Sequence, residues 1–315
     1  MKVLVTGCAG FIGSNLTDRL LNTGYNVIGV DNFNNFYNPQ IKEGNIKGAL
    51  KSAKFKLYRI DILDFEKVLK IFKKEKPDKV VHLAARAGVR PSIANPKLYA
   101  QVNVLGTVNL LKLAVDFNVR QFIFGSSSSV YGNSKKLPFV EDDPCQNIIS
   151  PYGASKRSAE FFVESFYRNY HLKSVILRFF TVYGPRGRPD MAPAIFTKAI
   201  LNGQNLIQFG DGDSSRDYTY IEDIIGGLVK TIEKNFGFEI INLGNENPVK
   251  LINLISYLEK ITGKKAKVVI LPKQSGDVEI TWANTSKAKK LLGWQAGTSI
   301  KLGLEKYVKW LRKQI

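Results

Sequence analysis

Short apolar runs alternate with longer stretches of helical periodicity through the first half of the chain. KVLVT at Lys2–Thr6 is almost continuously apolar, as befits a strand buried on both faces. Phe11–Asn22 repeats its apolar positions at helical spacing. Asn26–Val30, Phe55–Ile60, Lys79–His82, Gln121–Phe124 and Ser174–Leu177 read as further strands. Helical patterns fill the gaps near Phe65–Lys74, Lys97–Phe117 and Pro151–Tyr170. Alternating strand and helix predicts an α/β fold, a doubly wound parallel sheet with right-handed crossovers. Beyond residue 178 the alternation breaks up, and Gly and Pro become frequent between Gly184 and Gly212. The expected division is a domain at 1–177, with chain returns near 215–243, and a smaller domain at 178–315. No internal repeat stands out.

Composition narrows the class. The chain has 315 residues, 44% of them hydrophobic, the proportion of an ordinary globular protein. No apolar run is expected to span a bilayer, and the first residues read as a strand, so a cytoplasmic location is expected. The net charge is +19. Much of the excess is Lys on expected helix faces, such as Lys70, Lys73, Lys74 and Lys76, which reads as a solvated surface. No nucleic-acid motif accompanies it, and no nucleic-acid or membrane partner is expected. Cys8, Cys145, His82 and His171 are scattered, without metal-ligand spacing or a disulfide framework.

Candidate chemistry begins after the first strand. Gly7-Cys8-Ala9-Gly10-Phe11-Ile12-Gly13 joins that strand to the first helix. Gly7 permits a tight turn, Gly10 a close backbone approach to a pyrophosphate, and Gly13 close packing of helix on strand. In a strand–turn–helix context the trio predicts a Rossmann-like dinucleotide site. Asp31 ends the second strand, where a carboxylate accepts from adenosine ribose hydroxyls and disfavours a 2′-phosphate, so NAD is the expected cofactor. Asp61, after the third strand, is a candidate for the adenine amino group. Cys8 reads as a small residue at a permissive loop position.

Tyr152 and Lys156 lie one turn apart on an expected helix. A free tyrosine has a pKa near 10, too high for a base at neutral pH. An adjacent ammonium favours the phenolate and supplies what the chemistry lacks. Ser126–Ser129, expected as a loop directly after the fifth strand, bring hydroxyls to the carboxyl edge of the sheet, where ligands of such sheets bind.

These stretches resemble the extended short-chain dehydrogenase/reductases, specifically their nucleotide-sugar epimerases, over nearly the whole length. GCAGFIG (7–13), HLAARAGVR (82–90), SSSSVYG (126–132), SPYGASK (150–156), RFFTVYGPRGRPDMA (178–192) and SRDYTYIEDI (215–224) carry it. The last two look most like uridine diphosphate (UDP) glucuronic acid 4-epimerases. The resemblance implies Ser127, Tyr152 and Lys156 as the catalytic set, with Lys156 also holding the nicotinamide ribose. It implies Gly7, Gly10, Phe11, Ile12, Gly13, Asp31, Asn32, Asp61, Ile62, Leu83, Ala84 and Ala85 around NAD. It places Asn103 near the cofactor side of the sugar pocket, Arg90 among the substrate-binding residues, and Arg216 and Asp277 at the uridine diphosphate. Gln274 stands where hexose epimerases often carry an arginine. A homodimer paired through the Tyr-x-x-x-Lys helix is also implied.

The shared first step is oxidation at C4 of the sugar. Dehydratases of the family carry an Asp-Glu pair directly after the active-site hydroxyl. Here Ser128 and Ser129 stand there, so dehydration is not expected. A 4-keto glucuronate is a β-keto acid and loses CO₂ when its carboxylate aligns with the carbonyl. Ser128, Thr181 and Arg188 are suited to hold that carboxylate away from the alignment. The expected reaction is therefore 4-epimerisation of UDP-glucuronate to UDP-galacturonate. The alternatives are a UDP-glucose 4-epimerase, a UDP-glucuronate decarboxylase, and a non-catalytic NAD-sensing protein. Retention of Ser127, Tyr152 and Lys156 argues against the last.

Overall fold

The computed structural model describes residues 1–273 and 276–314. Six of its strands come from the first 179 residues: β1 (Lys2–Thr6), β2 (Asn26–Asp31), β3 (Phe55–Arg59), β4 (Lys79–His82), β5 (Gln121–Ser127) and β6 (Ser174–Phe179). The later strands are β7 (Thr181–Tyr183), β8 (Asn205–Phe209), β9 (Ser215–Tyr220), β10 (Phe238–Leu243), β11 (Pro248–Lys250) and β12 (Lys267–Leu271). The main sheet is wholly parallel, with strand order β3-β2-β1-β4-β5-β6-β10. Leu4, Val80, Phe122 and Ile176 fill one of its faces, and Val3, Val81, Ile123 and Val175 the other. This two-sided burial is what the continuous apolar strands require. Order reverses between β1 and β4, which opens a crevice at their carboxyl ends.

The helices of the first half are α1 (Phe11–Asn22), α2 (Pro39–Ile46), α3 (Phe65–Glu75), α4 (Val89–Ala94), α5 (Pro96–Tyr99), α6 (Gly106–Asp116) and α7 (Pro151–Tyr170). The second half adds α8 (Ala192–Asn202), α9 (Ile221–Glu233), α10 (Leu251–Thr262), α11 (Ser286–Leu292) and α12 (Ile300–Leu311). Two small sheets, β11-β9-β7 and β12-β8, carry the far wall of the cleft.

Three details differ from the sequence reading. The helix expected over Lys97–Phe117 is three pieces, because a π-turn, Ala100–Leu105, separates α5 from α6. Ser126 and Ser127 are the last residues of β5 rather than loop, and Ser128–Tyr131 form a 3₁₀ turn. The run Pro96–Asp116 is long and apolar enough by composition to cross a bilayer, which the sequence reading did not count. In the fold it packs against α3 and α7.

Candidate active site

The glycine loop is built as its spacing demands. Gly7 adopts φ +69°, and its N–H donates to Val30 O at 2.7 Å. A Cβ on Gly7 would lie 2.8 Å from Ala84 N, and one on Gly13 only 2.0 Å from Gly7 O. Both glycines are therefore fixed by close backbone approach. No side chain caps α1 at Gly10, so the first-turn N–H groups and the positive end of the helix dipole face the cleft. Asp31 accepts from Ala9 N at 3.1 Å and Phe33 N at 2.9 Å. Asn32 Nδ2 donates to Asp61 Oδ2 at 2.7 Å, holding these two side chains together. Ile62, Leu83, Ala84 and Ala85 line the adjoining wall. An uncapped helix end, a cradle with no room for Cβ atoms and an acid at the end of β2 fit a dinucleotide.

His82 lies beneath that wall. Thr6 Oγ1 meets its Nδ1 at 2.7 Å, and Thr107 Oγ1 meets its Nε2 at 3.0 Å. The Thr107 hydroxyl donates to Asn103 O, so it accepts from His82, and Thr6 donates to Nδ1. Burial pushes the imidazole down to about 3, with Lys156 adding to the effect, so the ring is neutral.

The catalytic candidates meet across the crevice from the glycine loop. Ser150 caps α7, its Oγ accepting from Gly153 N at 3.1 Å, and Pro151 follows at the first helical position. Tyr152 therefore points from the first turn, edge-on to Tyr99 with centroids 6.2 Å apart. Gly153 is a residue the sequence reading passed over. A Cβ there would stand 2.5 Å from Ser129 O, so glycine lets α7 approach the serine turn. Ser127 Oγ donates to Ser129 Oγ and accepts from Ser129 N, both at 3.2 Å.

The electrostatics depart from the expected pair. Burial raises the Tyr152 phenol above its usual value, while the Ser127 hydroxyl and the Arg188 guanidinium act to lower it. Burial also brings the Lys156 amine down to about 7, opposed by Glu160. In the protein alone the cation acting on the phenol is Arg188.

Arg188 reaches this chamber from the loop after β7. Its Nε donates to Asp190 at 3.0 Å, and the guanidinium lies over Phe36 at 5.4 Å. Ser128 and Thr181 line the same chamber. At the far end Arg90 pairs with Asp277 at 2.8 Å and lies over Phe209 at 4.4 Å. Arg216 is held beside them through Ser215 O at 2.9 Å. Gln274 lies outside the described residues.

Asn103 corrects the sequence reading. It is buried in the π-turn, where Oδ1 accepts from Arg86 N at 2.7 Å. Its Nδ2 donates to Arg86 O and to Ser155 Oγ, both at 2.9 Å. With these partners taken inside the protein, it braces the wall against α7 rather than lining the pocket.

Phe36, Tyr37, Lys42 and Arg86 also line the cleft. The aromatic pair within the Asn-rich run Phe33–Asn38 was the signal available for them. Lys42 donates to Asn34 O at 2.9 Å and so pins that run. Among the described residues, no group of three or more His, Cys, Asp or Glu is placed to hold a metal.

One cleft of about 740 Å³ joins these parts. A switch-point dinucleotide cradle beside a Ser, Tyr and Lys constellation defines an enzyme of the extended short-chain dehydrogenase/reductase type. The chain belongs to the family described as GDP-mannose 4,6 dehydratase, whose model matches residues 4–307. A UDP-glucuronate 4-epimerase of Thermodesulfobacterium geofontis is 44% identical over 313 residues, 99% of this chain and 96% of that protein. The crystal structure of UDP-glucuronic acid 4-epimerase from Bacillus cereus, in complex with UDP-glucuronic acid and NAD, covers 100% of both chains at TM-score 0.94 and 40% identity. A UDP-glucose 4-epimerase of Thermotoga maritima, solved with UDP-glucose, is similar at TM-score 0.91 and 36% identity, covering 100% of this chain and 99% of that one.

Proposed function

We propose that the protein is an NAD-dependent UDP-sugar 4-epimerase that converts UDP-glucuronate to UDP-galacturonate. The observation that carries the substrate is the chamber at Tyr152, where Arg188 enters beside the hydroxyls of Ser128 and Thr181. A guanidinium with two hydroxyls suits a carboxylate, and a neutral hexose has no need of it. Ser128 and Ser129 lack the acid/base capacity that loss of water would require, which sets the chain apart from the dehydratase for which its family is described.

The glycine loop, α1, Asp31 and Asn32 would hold NAD, which when bound would supply reversible hydride acceptance at C4 with no net consumption of cofactor. Tyr152 takes the C4 hydroxyl proton and later returns it. Ser127 holds the oxygen. Lys156 and Arg188 supply positive charge against the phenolate. Arg90, Arg216 and Asp277 anchor the nucleotide diphosphate, leaving the sugar free to present its other face. Arg188, Ser128 and Thr181 hold the C5 carboxylate away from alignment with the C4 carbonyl, which suppresses decarboxylation. We read residues 1–177 as the cofactor half and 178–315 as the sugar-nucleotide half, with β10 returning to the main sheet.

The working form is a homodimer paired through α7. Phe161 and Tyr170 are 54% and 56% exposed on that helix, and Leu105 is 52% exposed on the adjacent π-turn. An exposed apolar strip of this kind marks an interaction face. We place the protein in the cytoplasm, alongside its nucleotide-sugar substrate. Arg188→Ala tests the substrate assignment. A charged hydrogen bond is worth about 1.5–3 kcal/mol, so glucuronate turnover falls by about one to two decades. The pentose fraction of the product rises. An unchanged product partition, with equal loss on glucuronate and glucose, would remove Arg188 from carboxylate recognition.

A further inference from the structure

We propose that Glu160 is a positioning residue for the reaction: its carboxylate fastens the end of β5, which carries Ser127, to the helix that carries Tyr152 and Lys156, and sets a negative charge one turn beyond Lys156. The proposal rests on the epimerase reading for the roles of those three residues.

Glu160 is 1% exposed, and four donors converge on its two oxygens. Ser126 Oγ donates to Oε1 at 2.6 Å, and Arg178 Nε to the same oxygen at 3.0 Å. Arg178 Nη2 and Arg157 Nη1 each donate to Oε2 at 2.8 Å. Arg178 also reaches forward, donating from Nη1 to Tyr131 OH at 3.0 Å and Glu141 O at 3.2 Å. Tyr131 in turn donates to Asn242 Oδ1 at 2.6 Å. Ser126 precedes Ser127, and Tyr131 closes the 3₁₀ turn that begins at Ser128. One buried cluster therefore grips the serine segment at both ends. A buried ion pair offers little net stability over apolar residues of the same volume, so fixing geometry is its more effective contribution.

The charge has a second consequence. Lys156 faces neutral His82 on β4, the Phe124 ring on β5 at 4.3 Å, and Glu160 on its own helix. Glu160 faces Arg157 and Lys156 on α7, Arg178 on β6, Ser126 on β5 and Cys145 on the segment after β5, with Tyr131 and Glu141 reached through Arg178. Burial drives the Lys156 amine down to about 7, and Glu160 opposes that fall. A neutral side chain at 160 therefore releases the Lys156 proton at lower pH. The group needed as an ammonium beside the phenolate would then be an amine under working conditions.

The direct readout is the titration of the Lys156 Nζ resonance in ¹⁵N-lysine protein, assigned by its loss in Lys156→Met. Glu160→Gln keeps one acceptor oxygen, for Ser126 Oγ and Arg178 Nε, and removes both the charge and the acceptor for the other two guanidinium donors. It is expected to lower the Lys156 midpoint by about one to three pH units. Glu160→Asp keeps the charge but is a methylene short of Ser126. It leaves the midpoint near the wild-type value while kcat falls at nearly constant KM. Ser126→Ala, which spares the ion pair, lowers kcat about tenfold in the same manner. A Glu160→Gln protein with a lower Tm but an unchanged Lys156 midpoint would make Glu160 merely structural and overturn the proposal. Full kcat in both Glu160→Asp and Ser126→Ala would overturn the positioning half, and does so even if Glu160→Gln fails to fold. Wild-type protein that turned over no UDP-sugar would instead sink the epimerase reading, with the Lys156 titration still readable.

Discussion

Tyr152 sits where burial opposes its ionisation, so the groups that oppose burial decide its usefulness as a base. Ser127 and Arg188 act against that rise in the protein alone, while burial brings the Lys156 amine down to about 7. Tyr152→Phe keeps the ring and loses the proton carrier, so kcat should fall by about 10²–10⁴-fold, with NAD binding retained by calorimetry. Near-full activity would dismiss Tyr152 as the base. The Lys156 value also gives a sign for cofactor binding. Its ammonium form predominates below pH 7 and disappears as pH rises through that value. NAD affinity of cofactor-free protein should therefore decline from pH 6 to pH 9, and Lys156→Met should flatten that decline. Gly153→Ala places a methyl 2.5 Å from a backbone oxygen, which should lower kcat more than it alters NAD affinity. At this scale the chemistry was legible: the glycine trio, Asp31 and the Tyr-x-x-x-Lys spacing each carry a local pattern. The Arg90–Asp277 pair was not legible as a pair, because 187 positions separate the partners. Asn103 was misread for a related reason: sequence shows an amide but not the three partners that occupy it.

Helix α7 presents two unlike faces. Tyr152, Lys156 and Glu160 recur one turn apart toward the sheet, and Phe161 and Tyr170 face outward. Its start was readable from Ser150 and Pro151, which supply a capping oxygen and a preset φ. The helix before it was only partly readable. Periodicity over Lys97–Phe117 gives no sign of the π-turn that turns Asn103 inward against Arg86 and Ser155. The apolar strip on α7 predicts a dimer. Phe161→Glu combined with Leu105→Glu should give monomers by light scattering at micromolar concentration, with the far-ultraviolet circular dichroism unchanged. Persistent dimers would place the interface elsewhere.

At the scale of the whole molecule, the parallel sheet was legible because most of its first six strands are short apolar runs bounded by turns, the edge strand β3 (FKLYR) being half polar. The seventh, β10, is a comparable run, FEIINL, within the expected chain return near 215–243, but its place in the strand order is not written in it. It joins the sheet by pairing with β6 across more than sixty intervening positions, a long-range contact that local pattern does not encode. The sheet also holds an acid-sensitive point. His82 is neutral at the end of β4, with its value at about 3 against 6.5 for a free imidazole. A depressed folded value gives stability that is present above pH 6.5 and lost as pH falls toward 3. Over that window the unfolding free energy of wild type should decline more steeply than that of His82→Gln, by up to about 1.4 kcal/mol per pH unit. Equal slopes in urea titrations at pH 6.5, 5.5 and 4.5 would show that His82 does not titrate on unfolding.

If the cleft carries out 4-epimerisation of a uronate, its products report it. Purified protein is incubated with UDP-glucuronate, the nucleotide sugars are resolved, and absorbance at the NADH band is followed. The expected result is UDP-galacturonate approaching an equilibrium mixture, little pentose, and no net NADH. UDP-pentose as the main product, NADH accumulating in step with substrate loss, or faster turnover of UDP-glucose than of UDP-glucuronate would contradict it.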